Sequence, residues 1–407
     1  MPSSSLDSSF VLPASPAGGT LFGRSHARSR LWLGIAGVGS TVLLALWLVL
    51  VPSAASTLAI RIGEVVGVAA SAQSLRGTLA TVVTVAWLHA LLLVPLDLLG
   101  GLVVVRERPG VVRWALTWLR GLAVFTLTLL IAASVFYGGY ALLGTAGVIV
   151  AGLVLQIAWM MGQAWIARLT GGVRVTAMDE ALRMAVARAE LDPSRVRQVE
   201  ADDLAFVGGW VGTAPTLWVP ARWVREMSPD ALASQLVRRR LVLANGLRTR
   251  GVVGAIAWNT IGIAWFAAGA PVLPTNVVLF MCGVTLWSFV GVLLLPTPSR
   301  RAIFATDRDT ARTIGADGVI EAMHFIDARQ DDEPARARGI ETIFHPVPSR
   351  GSRDDAIVRP NPPNAPRGAY HLTRLMLGAS SAGLGLLGRV VHCNIGRPAL
   401  WVVYPGD

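Results

Sequence analysis

The sequence predicts a mainly α-helical membrane protein, with about six transmembrane helices and a large polar domain on one side of the bilayer. Three observations lead there. Hydrophobic residues make up 53% of the 407 residues and charged residues 15%, against about 25% charged in typical soluble chains. The apolar residues gather into runs, several longer than the roughly 18 residues that cross the hydrocarbon core as a helix. The 36 basic residues, all arginine, avoid the shortest connections between those runs, as the positive-inside rule describes.

Residues 1–30 read as a disordered basic tail, rich in Ser, Pro and Gly and closing on Arg24, Arg28 and Arg30. A first span covers 31–51. Its apolar stretch exceeds a signal-peptide core, so it reads as a retained span, with cleavage after the small residues 52–56 as the alternative. A second span, 78–99, runs into the basic loop of Arg106, Arg108 and Arg113. The third and fourth spans, 119–142 and 144–166, leave room only for a tight turn near Tyr137-Gly138-Gly139-Tyr140. These four spans make up a membrane region over 31–166. A polar stretch follows over 167–250, with thirteen arginines. Spans five and six, 252–273 and 276–295, form a hairpin around Pro271 and Pro274 (region 251–296). A second polar stretch fills 297–359. Residues 360–407 are a Pro-rich linker and a mixed tail, in which 375–387 reads as a short interfacial helix and 400–404 as the anchor of a C-terminal cap.

Six spans place every arginine-rich segment and both termini on one face, the cytoplasmic one. The net charge of +11 therefore serves topology. No zinc-finger, RRM-like or helix-turn-helix pattern accompanies it, so nucleic acid is not an expected partner; the lipid bilayer is. Cys282 and Cys393 lie in unrelated contexts and suggest neither a disulfide framework nor a metal cluster.

Three stretches occur in a telling order. Pro95-Leu96-Asp97 leads through Arg106-Glu107-Arg108-Pro109-Gly110 out of a span. The polar stretch reads Glu180-Ala181-Leu182-Arg183, Ala205-Phe206-Val207-Gly208-Gly209, Leu217-Trp218-Val219-Pro220 and Met227-Ser228-Pro229-Asp230-Ala231-Leu232. Later come Ser299-Arg300-Arg301, Thr306-Asp307-Arg308 and His345-Pro346. Together they resemble the integral-membrane zinc metallopeptidases of the CAAX prenyl protease and HtpX type, over roughly residues 95–353. The resemblance implies a zincin-like α+β domain interrupted by the fifth and sixth spans. It also implies a zinc site of two histidines one helical turn apart, a glutamate between them to deprotonate the metal-bound water, and a third ligand on a later helix.

At those positions this chain carries Arg238, Arg239, Val242 and Ile303, and no histidine is followed by glutamate. Guanidinium is cationic and offers no lone pair, and Val and Ile cannot ligate. The expectation is a degenerate metallopeptidase relative without cofactor, acting as a membrane-bound binding or regulatory protein for a peptide, a lipid or a membrane protease. The alternatives are an active metalloendopeptidase with other ligands (His324, His345 and the acids 327–333) and a transporter or lipid-handling bundle. Binding candidates are Asp307, His345, Arg350, His89 and Asn245. Arg238-Arg239-Arg240 reads either as a site for lipid phosphate or as a solvated helix face. Asp97 reads as reaching the interface, and Gln156, Gln163 and Asn259 as interhelical hydrogen-bond partners or functional polar groups.

The topology is checked by labelling. A Ser194→Cys variant in intact cells is expected to resist a membrane-impermeant maleimide beyond the wild-type background, and to react after permeabilisation. Labelling in intact cells would place the polar domain outside.

Overall fold

The computed structural model describes residues 20–51, 74–201, 206–269, 276–330, 335–359 and 368–401, with isolated positions (53, 54, 57, 60, 61, 64, 65 and 203) between them. Five helices are long and apolar enough to cross a membrane: α1 (His26–Leu50), α2 (Leu75–Leu98), α3 (Val111–Gly171), α7 (Leu247–Gly269) and α8 (Val277–Leu294). Large apolar side chains stay uncovered on them, among them Leu43, Leu91, Leu142 and Trp265, as lipid contact requires.

Three boundaries differ from expectation. Residues 26–30 belong to α1 instead of a loose tail, and Arg30 is buried. It donates to the carbonyls of Gly100 (2.7 Å), His392 (2.7 Å) and Ile395 (3.0 Å). The first of these lies in a π-helical turn, Leu99–Val103, that continues α2. α3 starts at Val111, well before the expected 119. It doubles back at Gly144 (φ 57°, ψ −140°), beyond the Tyr137–Tyr140 stretch, which stays helical. Only glycine occupies that conformation without strain. The two arms then meet backbone to backbone: a Cβ on Gly147 would lie 1.8 Å from the Gly139 carbonyl oxygen. At the open end, Arg120 donates to the carbonyls of Arg168 (2.8 Å) and Leu169. The turn expected around Pro271 and Pro274 lies outside the described residues.

The polar stretches form a small α+β assembly. A four-stranded sheet has the order β1-β2-β4-β3, with β1 Arg174–Thr176, β2 Val196–Glu200, β3 Gly209–Val211 and β4 Thr216–Pro220. β2 and β4 pair in parallel, with Val196 opposite Leu217, and the outer strands are antiparallel. Helices α4 (Glu180–Arg188), α5 (Ala221–Glu226), α6 (Pro229–Ala244), α9 (Pro296–Ile314), α10 (Ala316–Gln330), α11 (Arg338–Phe344) and α12 (Arg350–Val358) complete it. One core joins Leu182, Val196, Leu217 and Leu236 from before the α7–α8 hairpin to Ala322 and Phe325 from after it. The two polar stretches therefore assemble, contrary to what an unrelated transporter bundle predicts.

The described part of the C-terminal tail, residues 368–401, packs into the core, with Leu400 and Trp401 of the expected anchor buried. α13 (Leu372–Ser380) packs inside the bundle, where Asn259 of α7 donates to the Met376 carbonyl at 2.9 Å, so the interfacial helix expected over 375–387 does not form. Asp97, expected at the interface, is 1% exposed. It accepts from Arg389 (2.7 Å), from the Trp118 indole (3.0 Å) and from the Gly396 N–H (2.8 Å). Arg389 in turn lies 4.2 Å from the centre of the buried Trp401 ring. Residues 402–404 of the expected anchor lie outside the described residues. Gln156 joins α3 to Thr260 of α7 at 3.2 Å, an interhelical contact of the kind expected for a polar residue within a span.

Gly147→Ala is expected to force the α3 arms apart and to destabilise the protein by about 1–3 kcal/mol. Gly138→Ala, where an added Cβ meets nothing within 4 Å, should leave stability unchanged. Thermal unfolding in detergent compares them, and equal midpoints would remove the close approach as a constraint.

Candidate functional site

α6 starts where its sequence says it should. The Ser228 hydroxyl accepts from the Ala231 N–H at 3.1 Å, Pro229 takes the first helical position, and Asp230 sits in the first turn; each favours a helix amino end. Beyond that turn the helix runs through the middle of the domain, in contact with α4, α9 and α10.

This placement overturns both readings of Arg238-Arg239-Arg240. Arg238 and Arg239 are each 1% exposed, so they form neither a solvated face nor an open phosphate site. Arg238 donates from Nε to Asp307 Oδ1 at 2.7 Å and from Nη1 to the Tyr370 hydroxyl at 2.9 Å. Arg353 grips the same carboxylate with two bonds, Nε to Oδ2 at 2.7 Å and Nη2 to Oδ1 at 3.0 Å. Arg239 points toward the sheet, donating to the carbonyls of Trp218 (3.0 Å) and Val207 (2.6 Å), with its guanidinium 4.7 Å from the Trp223 ring centre. Arg240 pairs with Glu190 near the surface.

One turn along the same face, Val242 and Ile303 are completely buried and share a cluster with Leu247, Ala302 and Tyr370. Arg238 and Val242 of α6 thus stand against Asp307 and Ile303 of α9 in two layers, one ionic and one hydrocarbon. The structure brings together Arg238, Val242 and Ile303, all three buried. Burial alone would raise the pKa of Asp307. Arg353 and Arg238 outweigh that and hold it below the usual carboxylate range.

The family that the sequence resembles holds zinc through two histidines and an acid, and the residues present do not fit that ion. Arg238 brings a positive charge, Val242 and Ile303 bring no donor, and both oxygens of the nearby Asp307 already accept from guanidiniums. Among the described residues no three His, Cys, Asp or Glu side chains converge. His324 pairs with Asp354 at 3.0 Å, apart from His345, and residues 331–333 lie outside the described residues.

The remaining candidates do not form one site. His345 and Arg350 line a cavity of about 250 Å³ beside the ionic layer, which Arg353 also reaches. The His345 and His392 rings lie 5.0 Å apart, centre to centre. Asn245 caps the end of α6 at the surface, 3.3 Å from Asp309. His89 is buried in α2, where Nε2 lies 2.9 Å from the Thr41 hydroxyl of α1. Sequence reasoning missed Arg353 and Tyr370. Nothing local sets Arg353 apart from the neighbouring arginines, and Tyr370 follows a Pro-rich linker that gives no cue to a partner 132 positions away.

No protein-family model matches the chain, and no curated protein matches it. Among solved structures, the crystal structure of S. mikatae Ste24p superposes with a TM-score of 0.66 at 12% sequence identity, over 82% of this chain and 86% of that one. At that identity the likeness shows the fold: this is a multi-pass membrane protein of Ste24p-like architecture.

Asp307→Ala strands two buried guanidiniums and is expected to cost about 3–5 kcal/mol. Replacing the whole cluster with hydrocarbon (Arg238→Met, Asp307→Leu and Arg353→Met together) should cost far less. Because the folded-state pKa of Asp307 is depressed, its contribution is complete above the ordinary value of about 3.9 and is lost as pH falls through the lower folded value. Acid unfolding of the wild type should show that loss and the triple variant should not. Equal damage from the single and triple variants would contradict a mutually compensated cluster.

Proposed function

We propose that this protein is a catalytically inactive relative of the membrane zinc metallopeptidases, acting by binding and not by hydrolysis. Ste24p is a CAAX prenyl protease, the family whose motifs the sequence resembles, and fold and motif order point the same way. One observation carries the reading. Where the resemblance calls for zinc ligands, Arg238 is locked into a buried ion cluster with Asp307 and Arg353, and Val242 packs with Ile303. No rotamer of Arg238, Val242 or Ile303 supplies a lone pair to a cation.

In this reading the chain crosses the bilayer six times, the α3 hairpin counting as two crossings. The domain of 167–250 and 297–359 lies in the cytoplasm with both termini. The scaffold offers binding surface to a peptide, a lipid or a membrane protease, and it regulates or competes with an active enzyme.

Metal analysis and a peptidase assay on the full purified chain test it. The expected result is substoichiometric zinc that a chelator does not change, with no cleavage of a prenylated CAAX peptide. Stoichiometric zinc whose removal abolishes cleavage would establish an active enzyme with ligands elsewhere.

A further inference from the structure

α1 and α8 run antiparallel. They touch where Ala45 and Leu48 meet Val278 and Cys282. Toward the start of α1 and the end of α8 they part, and the cavity of about 250 Å³ opens between them, backed by the C-terminal tail. Its walls are of two kinds. Along the spans it is hydrocarbon: Ile35 and Val38 of α1 face Phe289, Val292 and Leu293 of α8. These residues are half-buried, and Leu293 is exposed, so the cleft reaches the lateral surface that lipid would cover.

At its polar-domain end the lining changes to guanidinium. Among the described residues, Arg336, Arg350, Arg353 and Arg374 line it there together with Asp327. Arg353 is committed to Asp307. Of the others, Arg336 lends an N–H to the Val347 carbonyl at 3.3 Å, and Arg350 stands 3.9 Å from Asp327, a long pairing. A guanidinium carries five N–H groups, so a single bond does not exhaust its donors. α12 also begins at this wall, so its amino end adds to the positive potential. This end of α1 carries the basic N-terminal segment, and α8 runs from it straight into the polar α9. The arginines therefore lie at headgroup level while the hydrocarbon walls lie at acyl level.

We propose that this cleft holds an anionic phospholipid, its phosphate among Arg336, Arg350 and Arg374 and one acyl chain between α1 and α8. Basic pockets between transmembrane helices on the arginine-rich side select anionic headgroups, and guanidinium bonds phosphate through charge-assisted pairs. A zwitterionic lipid brings its own cation to a head lined by guanidiniums. A free phosphate ion leaves the apolar walls uncovered. The proposal rests on the reading above only in placing the chain in a bilayer and giving it a binding role; it does not depend on the loss of catalysis.

The test titrates the full-length chain in detergent with dioleoylphosphatidylglycerol, dioleoylphosphatidylcholine or inorganic phosphate, following thermal unfolding by tryptophan fluorescence. The glycerol lipid should raise the midpoint and the other two should not. Arg350→Gln and Arg374→Gln should each weaken that response about five-fold, and Val38→Trp should weaken it by obstructing the chain. Should any variant fail to fold, the wild type still decides: a phosphatidylglycerol with a photoreactive acyl terminus should cross-link within residues 31–39 or 289–293. An equal response to phosphatidylcholine, an equal response to free phosphate, indifference to all three substitutions, or cross-links confined to other segments would each overturn the site. Zinc-dependent peptidase activity with selective lipid binding intact would overturn the function proposed above and leave this site standing.

Discussion

The carboxylate of Asp307 draws in two guanidiniums from helices far apart in the chain, and much of the polar domain is arranged around that contact. Arg238 comes from α6, before the membrane hairpin, and Arg353 from α12, after it. Tyr370, beyond the Pro-rich linker, closes the group from the side of the tail. Three charges taken out of water are costly one at a time and tolerable only together. The cluster therefore constrains geometry more than it adds stability. If α9 slips along α6, the carboxylate loses its partners inside a medium that cannot replace them.

A second buried ion pair does the same for the membrane half. Asp97 ends α2 next to a π-helical turn, and Arg389 reaches it from the tail. Trp118, Gly396 and the Trp401 ring complete its surroundings. Arg30 adds a third tie between α1, that turn and the tail by donating to the carbonyls of Gly100, His392 and Ile395. These contacts draw residues 368–401 into the bundle. They also set the shape of the cleft beside α1, since Val391, His392 and Cys393 form its back wall.

The buried cluster around Asp307 shows why the residues between α6 and α9 do not fit a zinc ion. A zinc ion would need an accessible, electron-rich pocket between α6 and α9. This sequence places there an ionic layer of two guanidiniums on one carboxylate and a hydrocarbon layer. One cavity lies a shell outward, at the junction of spans and polar domain, where His345, Arg350 and the tail meet.

Much of the architecture could be read from composition and spacing. Apolar runs of spanning length, arginines withheld from the shortest turns and the Ser228-Pro229-Asp230 helix start are local features, and local physics suffices to interpret them. That Arg238, Val242 and Ile303 offer no lone pair was equally legible, because side-chain chemistry alone decides whether one exists. What those arginines do was not. A run of three reads as a solvated face until a carboxylate 69 positions on is known to lie against the first of them. Asp97 reads as an interfacial acid until Arg389 arrives from 292 positions away. Hydropathy is a property of the residue, whereas the burial of a charge depends on its partner. The sequence by itself determined the apolar runs, the clustering of the arginines and the lack of lone pairs at Arg238, Val242 and Ile303; only the tertiary structure decided which charges are paired, which are buried, and where the cavity beside α1 opens.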